Sequence, residues 1–341
     1  MIHVGDQSNV NQFIEQAVSG DTREAVGFAI QLLDTGWSKV SIIDGVLAPA
    51  QREVGARWQR GELGVADEHL ASNVAETALY ALASELPMPD VHGSVVVACA
   101  PGDWHSIAGH MFAEGLHASG VATTFLGAST PAADVSRYLV KHRPNALAVS
   151  CAMPLFFTGV TELADAAHSF DIPVIAGGRA FAEHPEWAMR VGADAYAPDV
   201  TRALEILATW EVAAPPLALG QTRSNERLAT LDTRASEFAA RAFHDASTRV
   251  GTFARYTSRE AERAKENLAY MVRFVAAALY VDDTAVFTDY LSWLVDLMGS
   301  REVTKSAVLA GLESLRAIPE LRGGDIGATF DTGAAFLAES P

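Results

Sequence analysis

The sequence predicts an α/β protein with added helical domains, in which a parallel sheet stands between two all-helical regions. Three observations lead to this prediction. Residues 8–88 show helical periodicity only, short apolar runs alternate with helical stretches between residues 94 and 197, and helical periodicity alone returns after residue 223. A chain of 341 residues is long enough for two or three separate cores.

The N-terminal region, residues 1–90, is predicted to fold as a small bundle of short helices. Asp21, followed three residues later by Glu24, has the spacing of a capping box and marks one helix start. The other helices of the bundle are predicted over Val10–Val18, Val40–Arg60 and Asp67–Glu85.

The middle region, residues 91–213, has the alternation of strands and helices that is typical of a five-stranded parallel sheet with helices on both faces. Such a Rossmann-like, or flavodoxin-like, sheet binds ligands beyond the carboxyl ends of its strands. The predicted strands are Ser94–Ala100, Ala122–Gly127, Ala146–Ala152, Pro173–Gly178 and Ala193–Ala197.

The C-terminal region, residues 223–341, follows Ala213–Thr222, a segment with the proline and glycine content of a linker. Beyond it the pattern is helical throughout, which predicts an all-helical domain. The residues after Gly323-Gly324 are small and weakly patterned, and the sequence leaves open whether they dock or fray. The predicted helices are Glu226–Val250, Ser258–Tyr280, Thr284–Met298 and Val303–Ala317.

Composition excludes several classes of function. The formal net charge of −17 would repel phosphate backbones, so direct nucleic-acid binding is not expected. No apolar run approaches the roughly 18 residues of a membrane span, and the first residues do not resemble a signal peptide, so we expect a cytoplasmic protein. The two cysteines, Cys99 and Cys151, both lie in apolar strand-like contexts and predict neither a disulfide framework nor a cysteine-based metal site.

The first strand is followed by a loop that carries Asp103 and His105. This loop leaves the carboxyl end of the strand, where ligands of open α/β sheets sit. A neutral imidazole can coordinate a metal through one ring nitrogen while a carboxylate accepts a hydrogen bond from the other. The pair therefore predicts a metal ligand and the group that orients it. The alternative is an Asp and a His in an ordinary flavodoxin-like loop.

These residues resemble the Asp-x-His-x-x-Gly signature of the cobalamin-binding domain family, with Asp103 and His105 in place. Ser150 and the pair Gly177-Gly178 match the later motifs of that family, while Ala108 and Ala152 depart from it, with Gly109 one position after the expected glycine. The resemblance implies that His105 is the lower ligand of cobalt and that the nucleotide tail of the cofactor enters the sheet core. Further expected cobalamin contacts at this edge are Ser106, Gly109 and Gly127.

A second motif lies upstream, where Trp58 precedes Glu68 and His69 by nine intervening residues. It is similar to the Trp-x9-Glu-His motif of light-sensing cobalamin repressors of the CarH type. The resemblance implies adenosylcobalamin as the cofactor, a bundle over the upper corrin face, and Trp58 and Glu68 against the adenosyl group. A large ring that excludes water and a carboxylate that accepts from ribose or adenine suit this task. The alternative is a core tryptophan and an exposed helix start.

One departure concerns Gln59, which occupies the position where some of these repressors have a histidine that captures cobalt after photolysis. His69 is the nearest substitute, so water or His69 above cobalt are both open. We also expect this chain to lack the DNA-binding module that precedes the two domains in those repressors. A homo-oligomer whose state depends on light, with an unknown signalling partner, is the expected arrangement.

The C-terminal domain resembles, in architecture, the helical domain of the photocobilins, which couple a cobalamin module to a globin-like domain that holds biliverdin. Biliverdin needs cations for its propionates and a polar group for its pyrroles. Because no cysteine lies in residues 223–341, any bilin there is expected to be noncovalent. The candidate contacts are His244, Arg255, Arg273, Asp289, Tyr290 and Trp293, each of which has solvent exposure or core packing as its alternative explanation.

Taken together, the motifs favour a light sensor over an enzyme. The C-terminal region has no phosphate-binding loop, metal cluster or nucleophile–base pair, so no catalytic residue is assigned. A corrinoid carrier or subunit of a methyltransferase or mutase shares the His105 loop but needs an accessible upper face. A cobalamin storage protein and a cofactor-free interaction protein remain further alternatives.

Overall fold

The computed structural model describes residues 7–84, 94–212, 226–251 and 253–339. The described residues fall into two compact units that divide after Gln221. The first unit contains a helical region and a five-stranded parallel sheet, and the second is helical, which confirms the predicted fold class. The predicted linker at 213–222 lies outside the described residues, and the division into three domains stays a prediction.

The N-terminal helices bury one apolar face each against a common core. Phe13 and Ile14 of the first helix and Leu79 of the last are fully buried there. Asp21 caps the second helix, because its Oδ1 accepts a hydrogen bond from the Glu24 backbone N–H at 3.1 Å. The helices are α1 (Gln7–Ser19), α2 (Thr22–Asp34), α3 (Lys39–Ile42), α4 (Ala48–Gln59) and α5 (Val65–Ser84).

The chain is helical without a break from Lys39 to Gln59, in agreement with the helix predicted over Val40–Arg60, but a π-helical turn, Ile43–Leu47, interrupts the α-helical hydrogen bonding between α3 and α4. Pro49, in the first turn of α4, has no N–H to donate to the Gly45 carbonyl four residues earlier. The helix widens where that bond is missing. The turn also carries Asp44, whose pKa burial raises to about 6, with a further contribution from the negative charge of Asp199.

The sheet has five parallel strands in the order β2-β1-β3-β4-β5. Because the chain leaves β1 to one side for β2 and then returns to its other side for β3, the strand order reverses between β1 and β3. Register brings Cys99 beside Ser150 and Ser150 beside Gly177 at the carboxyl edge. The strands are β1 (Ser94–Cys99), β2 (Ala122–Phe125), β3 (Ala146–Ser150), β4 (Val174–Gly177) and β5 (Ala195–Tyr196).

All five strands are shorter than predicted, because the last residues of each predicted run turn away into loops at the carboxyl edge. The helices that connect and flank the strands are α6 (Ile107–Ala118), α7 (Ala132–His142), α8 (Phe157–His168), α9 (Glu186–Arg190) and α10 (Val200–Val212). Helix α6 contributes to two cores: Met111 belongs to the core of the helical region, and Leu116 to the core beneath the sheet. It therefore joins the two parts of the first unit.

The second unit buries aromatic side chains between its helices, with Phe287 and Phe330 packed edge to face. Residues after Gly323-Gly324, whose fate the sequence leaves open, form a helix that packs on its neighbours. Gly333 helps to explain why the apolar pattern of this helix is weak. A Cβ at position 333 would overlap the Phe287 ring, so the close approach of the helix to Phe287 requires a glycine. The helices are α11 (Glu226–Arg249), α12 (Ser258–Val281), α13 (Ala285–Gly299), α14 (Lys305–Arg316) and α15 (Gly324–Glu339).

No helix in the described parts of the chain is both long and apolar enough to cross a membrane. Within the same residues, no cluster of three or more His, Cys, Asp or Glu side chains is arranged to hold a metal ion. A metal site built from protein ligands alone is therefore not found in the described ranges. A metal that arrives with most of its coordination sphere already filled needs only one protein ligand.

Candidate functional site

The loop after β1 holds its histidine through a buried aspartate. Asp103 is fully buried, and its Oδ2 accepts a hydrogen bond from the Ala152 backbone N–H at 2.7 Å, across the strand-order reversal. Its Oδ1 accepts from the His105 backbone N–H at 3.0 Å and lies 2.8 Å from His105 Nδ1. The carboxylate accepts at Nδ1, so the proton of a neutral imidazole sits there and Nε2 keeps its lone pair. The His105 side chain is 62% exposed, which leaves that lone pair accessible to a metal.

Neighbouring negative charges make the His105 ring more basic. The hydrogen bond to Asp103 raises the pKa of His105, against the effect of burial, and the negative charges of Asp103 and Glu68 raise it further. A carboxylate behind the ring also increases the basicity of the free nitrogen, as second-shell carboxylates do for metal-bound histidines.

The loop after β2 supports the Asp103 loop. Gly102, with φ of +86°, donates its N–H to Ser129 Oγ at 3.0 Å, and the Ser129 N–H donates to the Asp103 carbonyl at 3.0 Å. Gly127, with φ of +90°, accepts at its carbonyl from the Cys99 N–H at 3.2 Å. Gly127 thus shapes the loop beside the candidate ligand. Sequence reasoning missed Ser129, since nothing in its own neighbourhood indicates a bond to residue 102.

A cavity of about 100 Å³ opens into the sheet at this edge. The predicted residues Ser150, Gly177 and Gly178 all line it. Ser106, also predicted, stands at the start of α6, one residue before its first turn. The remaining lining is mostly apolar and comes from β1, β3, β4, α6 and the end of β5: Val97, Ala108, Phe112, Ala148, Val149, Ile175, Ala197 and Pro198.

The glycines at this cavity are required by geometry. A Cβ on Gly177 would lie 2.7 Å from the Ala197 carbonyl oxygen, and Gly178 has φ of +103° beside the Cys151 backbone. Gly109 faces the sheet, where a Cβ would be 3.2 Å from the Ser150 Cβ. Ala108, in the family's glycine position, instead lines the cavity, so the displaced glycine still permits close packing of α6. We call this cavity, lined by Gly177 and Gly178, the glycine slot. Together with the exposed Nε2 of His105, it fits a cofactor that has a metal at the centre of a large ring and a tail that enters the slot.

The helical region supplies polar groups near the loop. Glu68 and Gln51 each place a side-chain oxygen 3.0 Å from the Ser72 hydroxyl. Trp58 is half-buried at the end of α4, and His69 is 72% exposed with its Nε2 3.6 Å from Glu68 Oε2. The Glu68 carboxylate is thus oriented by its own helix. An imidazole at position 69 is accessible to solvent.

The candidate bilin residues of the second unit are distributed over several elements. Tyr290 and Trp293 lie near one another, with ring centroids 6.1 Å apart, and Tyr290 stacks on Phe274 at 3.8 Å. Arg273 Nε lies 3.2 Å from Asp232 Oδ1 on α11. His244, Arg255 and Asp289 are exposed, on α11, on the 3-10 turn before α12 and on α13. The structure therefore brings two of the six together in ring contact.

Comparison with known proteins identifies the nature of this site. Two family models, each described as a B12 binding domain, match residues 93–208 and residues 10–83. Two parts of the chain are therefore similar to B12 binding domains. They cover the sheet with its His105 loop and the helices α1 to α5 respectively, and they indicate a cobalamin or related corrinoid as the cofactor.

Two curated relatives are similar to the B12-binding part. The HTH-type transcriptional repressor CarH of Myxococcus xanthus is 34% identical over 145 residues, 41% of this chain and 48% of that protein. The repressor CarA of the same organism is 34% identical over 172 residues, 49% of this chain and 56% of that protein. The chain spans about half the length of these curated relatives.

Corrinoid proteins of methanogens share the fold. Dimethylamine corrinoid protein 1 of Methanosarcina mazei is 22% identical over 200 residues and is matched over 92% of its length. The structure of the Methanosarcina barkeri monomethylamine corrinoid protein aligns with a TM-score of 0.52 at 21% identity, covering 60% of this chain and 99% of that one. At this identity the likeness establishes the architecture alone.

Proposed function

We propose that the chain is a light sensor that binds adenosylcobalamin, with His105 as the lower ligand of cobalt. The observation that carries the proposal is the Asp103–His105 loop, in which a fully buried carboxylate aims an exposed imidazole outward. The helical region, which holds Trp58 and Glu68, is itself similar to a B12 binding domain. A carrier that passes its upper ligand to another protein needs that face open. A carboxylate and a tryptophan presented there suit retention of an adenosyl group.

The residues of the chain perform separate tasks in this proposal. Asp103 holds the His105 ring so that Nε2 faces outward, and the glycine slot at Gly177 and Gly178 receives the nucleotide tail. Trp58 would exclude water on the side of the bound cofactor facing α4, and Glu68 would accept hydrogen bonds from its adenosyl group. Adenosylcobalamin would supply a cobalt–carbon bond that visible light breaks. Without the adenosyl group, Trp58 and Glu68 would lose their contacts, and α4 and α5 would be free to change conformation or oligomeric state.

The first test is an absorption spectrum of the protein reconstituted with adenosylcobalamin, recorded in darkness and after blue-green illumination. We expect a spectrum that changes with light, and an elution volume in size-exclusion chromatography that changes with it. A spectrum that stays constant under illumination would refute the sensor. The matched control is hydroxocobalamin, which offers no adenosyl group and should give no change in elution volume.

A corrinoid carrier is the second candidate. It is favoured by the match to dimethylamine corrinoid protein 1 of Methanosarcina mazei, which extends over 92% of that protein's length. If the protein is a carrier, its bound corrinoid should accept a methyl group from a methylated donor when a partner enzyme catalyses the transfer. Transfer of that kind, without a light response, would favour the carrier over the sensor.

For the second unit we propose noncovalent biliverdin as a second chromophore. The support is the aromatic group around Tyr290 and Trp293 on α13, next to α12 with Arg273. Reconstitution with biliverdin should produce a long-wavelength band that is lost in denaturant, because no cysteine is available in residues 223–341. Absence of the band after incubation with excess biliverdin would remove this chromophore from the proposal and leave the corrinoid site untouched.

A further inference from the structure

Helix α6 connects the two faces of the corrinoid site. It begins two residues after His105, and its residues Ile107 and Met111 pack into the core of α1 to α5. Ala113 and Leu116, further along, pack into the core beneath the sheet. The helix that starts at the ligand loop is therefore also the element on which the helical region rests.

His110, in the first turns of α6, is buried where α5 meets it. Its ring is 4.7 Å from the Tyr80 ring of α5 and 5.1 Å from the Phe125 ring of β2, onto which it stacks. Only 4% of the residue is exposed. Nothing in the B12-binding motifs requires a histidine here, and an apolar residue would fill the same space.

Two carboxylates approach the ring from opposite sides. Glu76 of α5 places Oε1 3.6 Å from Nδ1, and Glu114 of α6 places Oε1 3.6 Å from Nε2. Since they lie at opposite nitrogens, they cannot share one metal ion with the ring. Among the described residues, buried Nδ1 has no hydrogen-bond partner. An unsatisfied buried polar atom is costly, and a shift of about 0.5 Å would bring Glu76 within hydrogen-bond range.

We infer that His110 is a positioning residue of the corrinoid site, which fixes α5 against α6 through Glu76 and so sets the separation between Glu68 and His105. Glu68 lies two turns before Glu76 on α5, about 12 Å along the helix. His105 lies five residues before His110, in the loop that leads into α6. A contact that joins the two helices at positions 76 and 110 therefore controls the space between the residues at 68 and 105.

Glu114 provides an internal control. A neutral imidazole donates from one nitrogen only, so Glu76 and Glu114 compete for the same proton. Replacement of Glu76 removes the contact between the helices, whereas replacement of Glu114 removes the competitor on the same helix. The inference rests on the assignment of α4 and α5 as the cap of the corrinoid site, and not on any response to light.

The experiment measures the distance between α5 and the sheet by pulsed electron paramagnetic resonance. Spin labels are attached at Thr77→Cys on α5 and Val140→Cys on α7, both exposed positions, while the native cysteines are fully buried. His110→Phe keeps the ring contacts with Tyr80 and Phe125 but has no ring nitrogen. Glu76→Ala and Glu114→Ala each remove the acceptor oxygens, which a glutamine would keep. We expect a broader distance distribution in His110→Phe and in Glu76→Ala, and a distribution as narrow as that of the parent in Glu114→Ala.

The second readout is binding of hydroxocobalamin. We expect about fivefold weaker binding in His110→Phe and Glu76→Ala, with the absorption spectrum of the bound cofactor unchanged because His105 still coordinates. Parental distances and affinity in both variants would overturn the inference. If His110→Phe does not fold, Glu76→Ala decides alone, since Glu76 is only part-buried. Failure of the parent to bind hydroxocobalamin would instead contradict the corrinoid site, and the distances without cofactor would still test the positioning role.

Discussion

The carboxyl edge of the sheet and the α13 face of the second unit both carry residues that the sequence nominates for a cofactor, but they differ in how those residues are held. At the sheet edge, one buried carboxylate accepts three N–H groups and aims a single exposed nitrogen outward. In the second unit, Tyr290 packs into an aromatic core and Arg273 faces Asp232. A side chain that buried hydrogen-bond partners hold in one orientation indicates a ligand site more strongly than helix residues that merely have suitable functional groups.

The largest effect is expected from removing the ligand itself. His105→Ala should weaken hydroxocobalamin binding by about a hundredfold and leave the cofactor coordinated by its own base or by water, because Nε2 of His105 is the nitrogen aimed outward. Isothermal titration and the absorption spectrum measure both changes. His184→Ala is the matched control, since that ring also lies beside a carboxylate, with its Nδ1 3.2 Å from Glu186 Oε1. Equal losses in the two variants would contradict the special role of the loop.

The next effect concerns the aspartate. Asp103→Asn replaces one acceptor oxygen with an NH₂ donor, which must then face the N–H groups that the carboxylate now accepts. We therefore expect about tenfold weaker corrinoid binding and a lower pKa of His105. Binding is measured by titration, and the pKa of His105 is followed by NMR. Asp194→Asn is the control at the opposite edge of the sheet. Asp194 is likewise buried, and its Oδ2 lies 2.8 Å from His168 Nε2 and accepts from the Val174 N–H at 2.7 Å. It should lower stability without changing corrinoid affinity; a loss of affinity there would mean that the effect is general.

A smaller and more selective effect is expected above the corrin. Trp58→Ala should weaken adenosylcobalamin binding by about fivefold and leave hydroxocobalamin binding nearly unchanged, because in the proposed complex only the adenosyl group contacts the Trp58 ring. Competition binding in darkness compares the two forms. Trp58→Phe, which keeps an apolar ring, should restore most of the affinity. Equal weakening for both cofactors would show that Trp58 acts through the bundle core.

Asp44 predicts a pH-dependent effect on stability. Its pKa in the native protein is about 6, against 3.8 for an ordinary aspartate, so ionisation costs the folded state and stability falls as pH rises from about 4 to about 6. Asp44→Asn should therefore raise the free energy of unfolding by about 1 kcal/mol near pH 7.5, after allowance for solvent screening, and by little near pH 4. Urea unfolding at both pH values measures this. Asp34→Asn, at an exposed position of α2, is the control substitution.

The smallest effect is expected in the second unit. Tyr290→Phe removes a hydroxyl that lies 3.5 Å from the Asn267 carbonyl, at the limit of a hydrogen bond. Burial raises the pKa of Tyr290 well above its usual value, so the phenol stays neutral. We expect less than about 1 kcal/mol of lost stability and unchanged corrinoid affinity. A large loss of biliverdin binding in this variant would show that the aromatic group serves a ligand as well as the core.

The sequence predicted those parts of the molecule whose causes are local. The alternation of strands and helices gave the sheet, and Asp103 and His105 could be paired because they are two residues apart. The partners of Asp103 that complete its role, the Ala152 N–H and the Ser129 N–H, are distant in sequence. Every residue has a backbone N–H, so the sequence does not indicate which ones bond to Asp103. Only the order of the strands shows which loops lie beside it.

Other features escaped prediction for equally physical reasons. Helix α15 has small residues where a helix usually has an apolar stripe, because Phe287 occupies the space beside Gly333. The π turn depends on one missing N–H at Pro49 inside an otherwise helical pattern. His110 reads as an ordinary helix residue until α5 brings Glu76 and Tyr80 against it. Tertiary packing decides the environments of Gly333 and His110, whereas the π turn follows from a single local substitution in the helix pattern.

The measurement that tests the central claim most directly is electron paramagnetic resonance of cob(II)alamin bound to protein in which all histidines carry nitrogen-15. An axial nitrogen splits each cobalt line, and its nuclear spin sets the splitting pattern. With His105 as the lower ligand, the labelled protein should give doublets, and labelled His105→Ala should give the triplets of an unlabelled base or no nitrogen splitting. Triplets from the labelled parent would show that the cofactor keeps its own base, and would contradict the account.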